Sequence, residues 1–201
     1  MDKSTPLFDL KFDYLAKIIV MGNAGIGKTS FINKFMSEGT PSQKQQSSLD
    51  FEFNSKSVQV DDVVIKVQVW DYFNYEKILG FMGYRGTEGV IVWYNIADRI
   101  TFEDIPKWMD LVERYWTAAN YIIVGLKWDL DDQRQVTSEE ARKLAEKYNW
   151  IYIETSSING SNVNKVFDLL LHELAPRLKE EESIRIKRLE RNQLRKQSSC
   201  W

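Results

Sequence analysis

Apolar residues recur along this chain in two rhythms, and the rhythms place its elements. Residues 14–21 read Tyr14-Leu15-Ala16-Lys17-Ile18-Ile19-Val20-Met21, apolar enough for a strand buried in the middle of a sheet. Val63, Ile65, Val67 and Val69 instead alternate, which puts them on one face of a strand over residues 63–70. Residues 49–60 read as its partner, and Asp61-Asp62 between them is a turn tight enough for an antiparallel hairpin. Further strands are expected over 89–95, 121–126 and 150–153, and helices over 29–36, 101–117, 138–148 and from Asn162 onward. Thr137-Ser138-Glu139-Glu140 opens its helix with a capping residue and acids that suit the dipole. Two stretches break the rhythm. Residues 37–48, rich in Ser, Gln, Gly and Pro, predict a mobile loop, and residues 71–88, with Gly80, Gly83 and Gly86, a second irregular one. Alternating strands and helices imply a largely parallel sheet covered on both faces.

A hydrophobic share of 43% in 201 residues is ample for one core, so a single domain is expected over residues 11–178. A short leader, 1–10, would precede it and a basic tail, 179–201, would follow. Lys plus Arg number 27 against 29 Asp plus Glu, so the net charge of -2 gives no global reason to expect nucleic acid. Cys200 is the sole cysteine and His172 the sole histidine, which removes a disulfide framework and cysteine or histidine metal clusters. His172 is expected on the surface of a late helix. No apolar run approaches the roughly 20 residues of a membrane span and no secretory h-region follows the N-terminus, which together suit a cytoplasmic protein.

The candidate chemistry begins at Gly22-Asn23-Ala24-Gly25-Ile26-Gly27-Lys28-Thr29, which fits G-x-x-x-x-G-K-[ST] without a mismatch. It lies between an expected strand and an expected helix, the order that pattern requires. Its glycines would let successive N–H groups converge on a phosphate at the positive end of the helix. Lys28 would add a cation and Thr29 a hydroxyl for Mg²⁺; Asn23, Ala24, Gly25, Ile26, Gly27 and Ser30 complete the expected contacts.

With Trp70-Asp71, Tyr84-Arg85-Gly86, Val124-Gly125-Leu126-Lys127-Trp128-Asp129-Leu130, Glu154-Thr155-Ser156-Ser157 and Asn162-Val163 following in order, the chain resembles a Ras-superfamily small GTPase, most like the Rab branch. The resemblance covers roughly residues 14–178. It implies an α/β fold of the P-loop NTPase small-G type, a six-stranded, mostly parallel sheet with one antiparallel edge strand and helices on both faces. It implies GTP or GDP with Mg²⁺ as ligands. Asp129 would accept two hydrogen bonds from guanine that adenine cannot supply, Lys127 would lay its stem along the base, and the Ser156-Ser157 backbone would close the pocket. Asp71 would hold Mg²⁺ through water. Effector and exchange-factor proteins are the implied partners of an expected monomer acting in vesicle trafficking.

The chain also departs from the family pattern. Leu126 stands where an asparagine ties the loops together, Asn74 where a glycine meets the γ-phosphate, and Tyr75 where a glutamine orients the attacking water. Counting back from Leu49-Asp50-Phe51 puts Gln46 in place of the Mg²⁺-binding threonine, unless the loop slips to Ser47 or Ser48. Of the family's surface aromatic triad, Phe51 and Trp70 read as two members and Gly83 as the third position. No catalytic residue is therefore assigned, and slow hydrolysis is expected. The alternative is a pseudo-GTPase scaffold fixed in one nucleotide state or nucleotide-free. An ATP-using P-loop kinase would need a lid of arginines that the sequence does not offer, and Asp129 argues against it.

Arg185, Lys187, Arg188, Arg191, Arg195 and Lys196 face one acid, Glu190, in the tail before Ser198-Ser199-Cys200-Trp201. A membrane-approaching or partner-binding tail and a solvated helix extension are both open on composition. Only Trp201 follows Cys200, so there is no C-a-a-X box, whereas the Rab resemblance implies geranylgeranylation of a terminal cysteine.

Overall fold

The computed structural model describes residues 12–38, 42–46, 51–72, 86–116 and 119–198. In order these form β1 (Tyr14–Met21), α1 (Lys28–Ser37), β2 (Ser42–Gln46), β3 (Phe51–Val60), β4 (Val63–Tyr72), β5 (Thr87–Asn95), α2 (Arg99–Glu103), α3 (Ile105–Tyr115), β6 (Asn120–Leu126), α4 (Ser138–Tyr148), β7 (Ile151–Glu154) and α5 (Val163–Ser198). A 3-10 turn, Trp128–Gln133, follows β6.

The sheet runs β2-β3-β4-β1-β5-β6-β7. Strands β4, β1, β5, β6 and β7 are mutually parallel and β3 is antiparallel to β4, which is the expected small-G sheet. A seventh strand extends it: β2 pairs antiparallel with β3 from Ser42 against Lys56 to Gln46 against Glu52. Over residues 42–46 this corrects the mobile loop expected for residues 37–48. The segment reads Ser-Gln-Lys-Gln-Gln, so no apolar period marks it; an open edge of β3 offers main-chain donors and acceptors, and that suffices to pair a polar strand.

Because β1 is central, its side chains alternate between two cores. Ala16, Ile18 and Val20 enter the core under α1 and α5, where Phe35 stacks on Phe167 with centroids 3.8 Å apart. Ile19 and Met21 enter the other, under α3 and α4, with Met109, Val112, Ala141 and Ala145. Each of these buried Ile, Val, Met and Phe side chains contributes about 1.5–3 kcal/mol relative to exposure.

The helix expected over 101–117 is two helices meeting at Asp104. Pro106 explains the break: it has no N–H to continue a helix from upstream, and its fixed φ suits the first turn of a new one. Pro176 does not end α5, which runs 36 residues to Ser198, about 54 Å at 1.5 Å per residue. Among the described residues the last of its side chains buried in the core is Leu178; Ile184, Ile186 and Leu189 are exposed. His172 lies on the surface of this helix, its Nδ1 2.7 Å from the Asp168 carbonyl. Among the described residues no helix is long and apolar enough to cross a membrane.

Candidate nucleotide-binding site

The phosphate loop is built where β1 ends against β5. A Cβ on Gly22 would lie 2.5 Å from the Trp93 carbonyl oxygen, and Gly22 has φ 137, so only glycine fits. Ile26 is buried in the core beneath α1 and fixes the far half of the loop, while Ala24 and Gly25 are exposed. Gly27 caps α1 with φ 110 and brings no side-chain acceptor, which leaves the first-turn N–H groups of α1 for an anion. Lys28 is buried and arches back over the loop, its Nζ donating to the carbonyls of Gly22 at 2.9 Å and Asn23 at 2.8 Å. Burial lowers its pKa, against the opposing pull of Asp71. Ser30 is exposed one residue beyond Thr29.

Thr29 Oγ1 donates to Asp71 Oδ2 at 3.0 Å, at the carboxyl end of β4. Asp71 is only 2% exposed, and this burial raises its pKa although Thr29 and Lys28 pull the other way. A hydroxyl beside a buried carboxylate suits Mg²⁺, which takes one or two protein oxygens and fills its octahedron with water and phosphate oxygens. The residues present fit that ion.

The base-recognition turn follows β6. Lys127 adopts φ 63, and its Cε comes within 4.0 Å of where a Gly27 Cβ would lie, so its stem reaches the phosphate loop. Asp129 Oδ1 accepts from Ser156 Oγ at 2.5 Å. Ser156 is fully buried, and its hydroxyl also accepts the N–H groups of Ile158 and Asn159. Its own N–H donates to the Ser161 carbonyl at 3.0 Å, so Ser156 acts on this pocket by its hydroxyl, which orients the Asp129 carboxylate. Ser157, partly buried, stands next in the same turn. Leu126 packs into the core. Main-chain bonds join the two turns here: Trp128 N–H to Thr155 O at 3.0 Å and Thr155 N–H to Gly125 O at 2.8 Å.

The sequence missed the hydroxyl of Ser156 and the side chain of Asn23, which reaches α3 at Asp104 and Trp108. Partners 27 to 85 residues away leave no local signal. Phe53 is in register with Trp70, with ring centroids 5.1 Å apart, while the main chain of Phe51 is in register with that of Tyr72. Gln46 pairs with Glu52, and Glu52 with Asp71, so the Gln46 main chain stands two strand spacings, about 9.6 Å, from that of Asp71. Ser47, Ser48, Asn74, Tyr75, Gly83 and Cys200 lie outside the described residues.

A glycine loop between a central strand and a helix, with an acid from the neighbouring strand and a Lys-x-Asp turn over it, defines a P-loop nucleotide-binding protein of the small-G class. The chain belongs to the Ras family, whose sequence model matches residues 17–176, and within that superfamily it is a Rab-like small GTPase. Human Ras-related protein Rab-19 is 38% identical to it over 174 residues, which cover 84% of this chain and 79% of the relative. Ras-related protein Rab-1 of Theileria annulata is 36% identical over 161 residues, 78% and 73% of the two chains. Ras-related protein RABA1e of Arabidopsis thaliana is 35% identical over 170 residues, 83% and 77%.

Proposed function

We propose that this protein is a guanine-nucleotide-gated partner switch of the Rab kind, holding GTP or GDP with Mg²⁺ and engaging effectors and exchange factors in vesicle trafficking. One observation carries the reading: the Asp129 carboxylate, fixed by Ser156 at 2.5 Å, stands in the same turn as Lys127, whose stem reaches the phosphate loop. A carboxylate so oriented accepts from N1–H and the exocyclic amine of guanine, and adenine presents no such pair. Lys28 and the first turn of α1 meet the phosphates; Thr29 and Asp71 would hold Mg²⁺, which neutralises charge on the phosphate oxygens when bound. Denaturing the purified protein and separating what it releases tests this. Guanine nucleotide is expected; release of none, together with no uptake of added GTP or GDP, overturns the reading.

Hydrolysis is slow in this reading, on the order of 10⁻⁴ s⁻¹ or below, because Tyr75 offers one hydroxyl on a rigid ring where a carboxamide both donates and accepts. The register of Phe53 opposite Trp70 favours a different count for the first switch. The same five-residue count that led from Phe51 to Gln46 leads from Phe53 to Ser48, a hydroxyl that can serve the metal and the γ-phosphate. In single-turnover assays Ser48→Ala lowers the rate further and Gln46→Ala does not. Fast phosphate release without a partner, or the reverse order of the two variants, counts against this assignment.

The tail attaches the monomer to the cytoplasmic face of a membrane through a prenyl chain on Cys200 and its basic residues, since one chain needs a second signal for stable anchoring. A membrane-fraction protein whose mass shows Cys200 unmodified removes the lipid from this account.

A further inference from the structure

Asn23 is used by helix α3 at both ends of its carboxamide. Its Nδ2 donates to Asp104 Oδ2 at 2.7 Å, and Trp108 Nε1 donates to its Oδ1 at 3.0 Å. One partner only accepts and the other only donates, so a single orientation of the amide satisfies both. Asp104 is itself held at its other oxygen by Lys107 at 2.5 Å. The main-chain carbonyl of the same Asn23 receives Lys28 Nζ at 2.8 Å. One residue therefore joins the first turn of α3 to the ammonium of the phosphate loop.

Ala24 and Gly25 are exposed, no atom lies within 4 Å of where a Gly25 Cβ would be, and Ile26 anchors only the far half. We propose that Asn23 is a positioning residue, which through Asp104 and Trp108 holds the phosphate loop in the shape that presents Lys28 and sets how long a nucleotide stays bound. This rests on the nucleotide-binding reading above. The bridge borders an open groove of about 420 Å³ lined by Asn23, Ala24, Asp104, Lys107, Trp108 and Leu111, so breaking it leaves no cavity in the core.

The chemistry dictates an asymmetric set of variants. Asn23→Ala removes both hydrogen bonds and speeds dissociation of a fluorescent GDP about tenfold. Asn23→Asp sets a carboxylate against Asp104 and does at least as much. Asp104→Asn keeps an acceptor for Asn23 and stays within about threefold of the parent. In the double variant Asn23→Asp with Asp104→Asn, the new amide donates to the new carboxylate, and the rate returns to within about threefold of the parent. Lys107→Ala, which removes only the outer contact of Asp104, controls for that ion pair. Melting temperature and the Trp108 indole N–H resonance of nucleotide-free protein accompany each rate. A shifted indole resonance with unchanged melting and faster dissociation is the expected pattern for Asn23→Ala. Unchanged dissociation in Asn23→Ala overturns the proposal, as does an Asn23→Asp defect that Asp104→Asn does not relieve. If the parent protein takes up no guanine nucleotide, both readings fall, and the indole resonance still reports whether the bridge exists.

Discussion

Lys28→Ala is expected to weaken guanine-nucleotide binding about a thousandfold, as read by equilibrium titration with a fluorescent GDP. The Lys28 ammonium sits buried at the centre of the loop and already donates to two of its carbonyls, those of Gly22 and Asn23. An arriving phosphate therefore meets a cation that is positioned and only partly hydrated, which makes each charge-assisted hydrogen bond stronger than it would be in water. Two such bonds at roughly 2 kcal/mol each give about 4 kcal/mol, or close to three decades of affinity. The fold should survive, because Ile26 and the packing of Phe31 and Phe35 hold α1 independently of the ammonium. An affinity equal to that of the parent would rule out the phosphate-loop assignment.

The parts of this structure that announce themselves in sequence are those whose cause is local. Strand β4 is visible because Val63, Ile65, Val67 and Val69 share one face, and the loop is visible because Gly22 must approach Trp93 where no side chain fits. Strand β2 has no such cause: its five polar residues are ordered by the main chain of β3, and sequence periodicity says nothing about an open edge. The register of Phe53 with Trp70 was hidden for a related reason. Phe51 and Phe53 lie two residues apart on one strand, and only the pairing with β4 sets which of them stands opposite Trp70. Main-chain bonds at Trp128 and Thr155 join the two turns of the base pocket, and because main-chain bonds do not depend on residue type the sequence around Leu126 gives no sign of them. Asn23 and Ser156 stood inside recognised motifs, but their side-chain roles depend on Asp104, Trp108 and Asp129, which only the folded chain brings near.

The carboxylate of Glu154 is where stability and the base pocket meet, and Arg134→Met is expected to lower the melting temperature by about 10 °C at neutral pH. Glu154 is buried on β7 and accepts from both terminal nitrogens of Arg134 at 2.7 and 2.8 Å, from Ser138 at 2.9 Å and from Tyr152 at 2.5 Å. Burial alone would raise its pKa, but these bonds, Arg134's first, outweigh it and hold the carboxyl below its ordinary value. Methionine keeps the length of the stem and removes the charge, which strands a buried carboxylate and costs about 3–5 kcal/mol. At roughly 2–4 °C per kcal/mol for a domain of this size, that is about 10 °C. The pH dependence separates this cause from lost packing. In the parent the folded-state pKa is depressed, so the contribution of Glu154 is present above its unfolded pKa and disappears as pH falls through the folded one. In the variant burial is opposed only by Tyr152 and Ser138, so the folded pKa rises relative to the parent's. The gap between parent and variant therefore narrows as pH falls and the stranded carboxylate takes up a proton; a gap that stays constant down to acid pH would assign the loss to packing. Because the Glu154 carbonyl accepts Asn162 Nδ2 at 2.8 Å, and Ser156 lies two residues on with its N–H on Ser161, strain at Glu154 passes into the turn that orients Asp129. Guanine affinity should fall along with the melting temperature, and it should recover with it at lower pH.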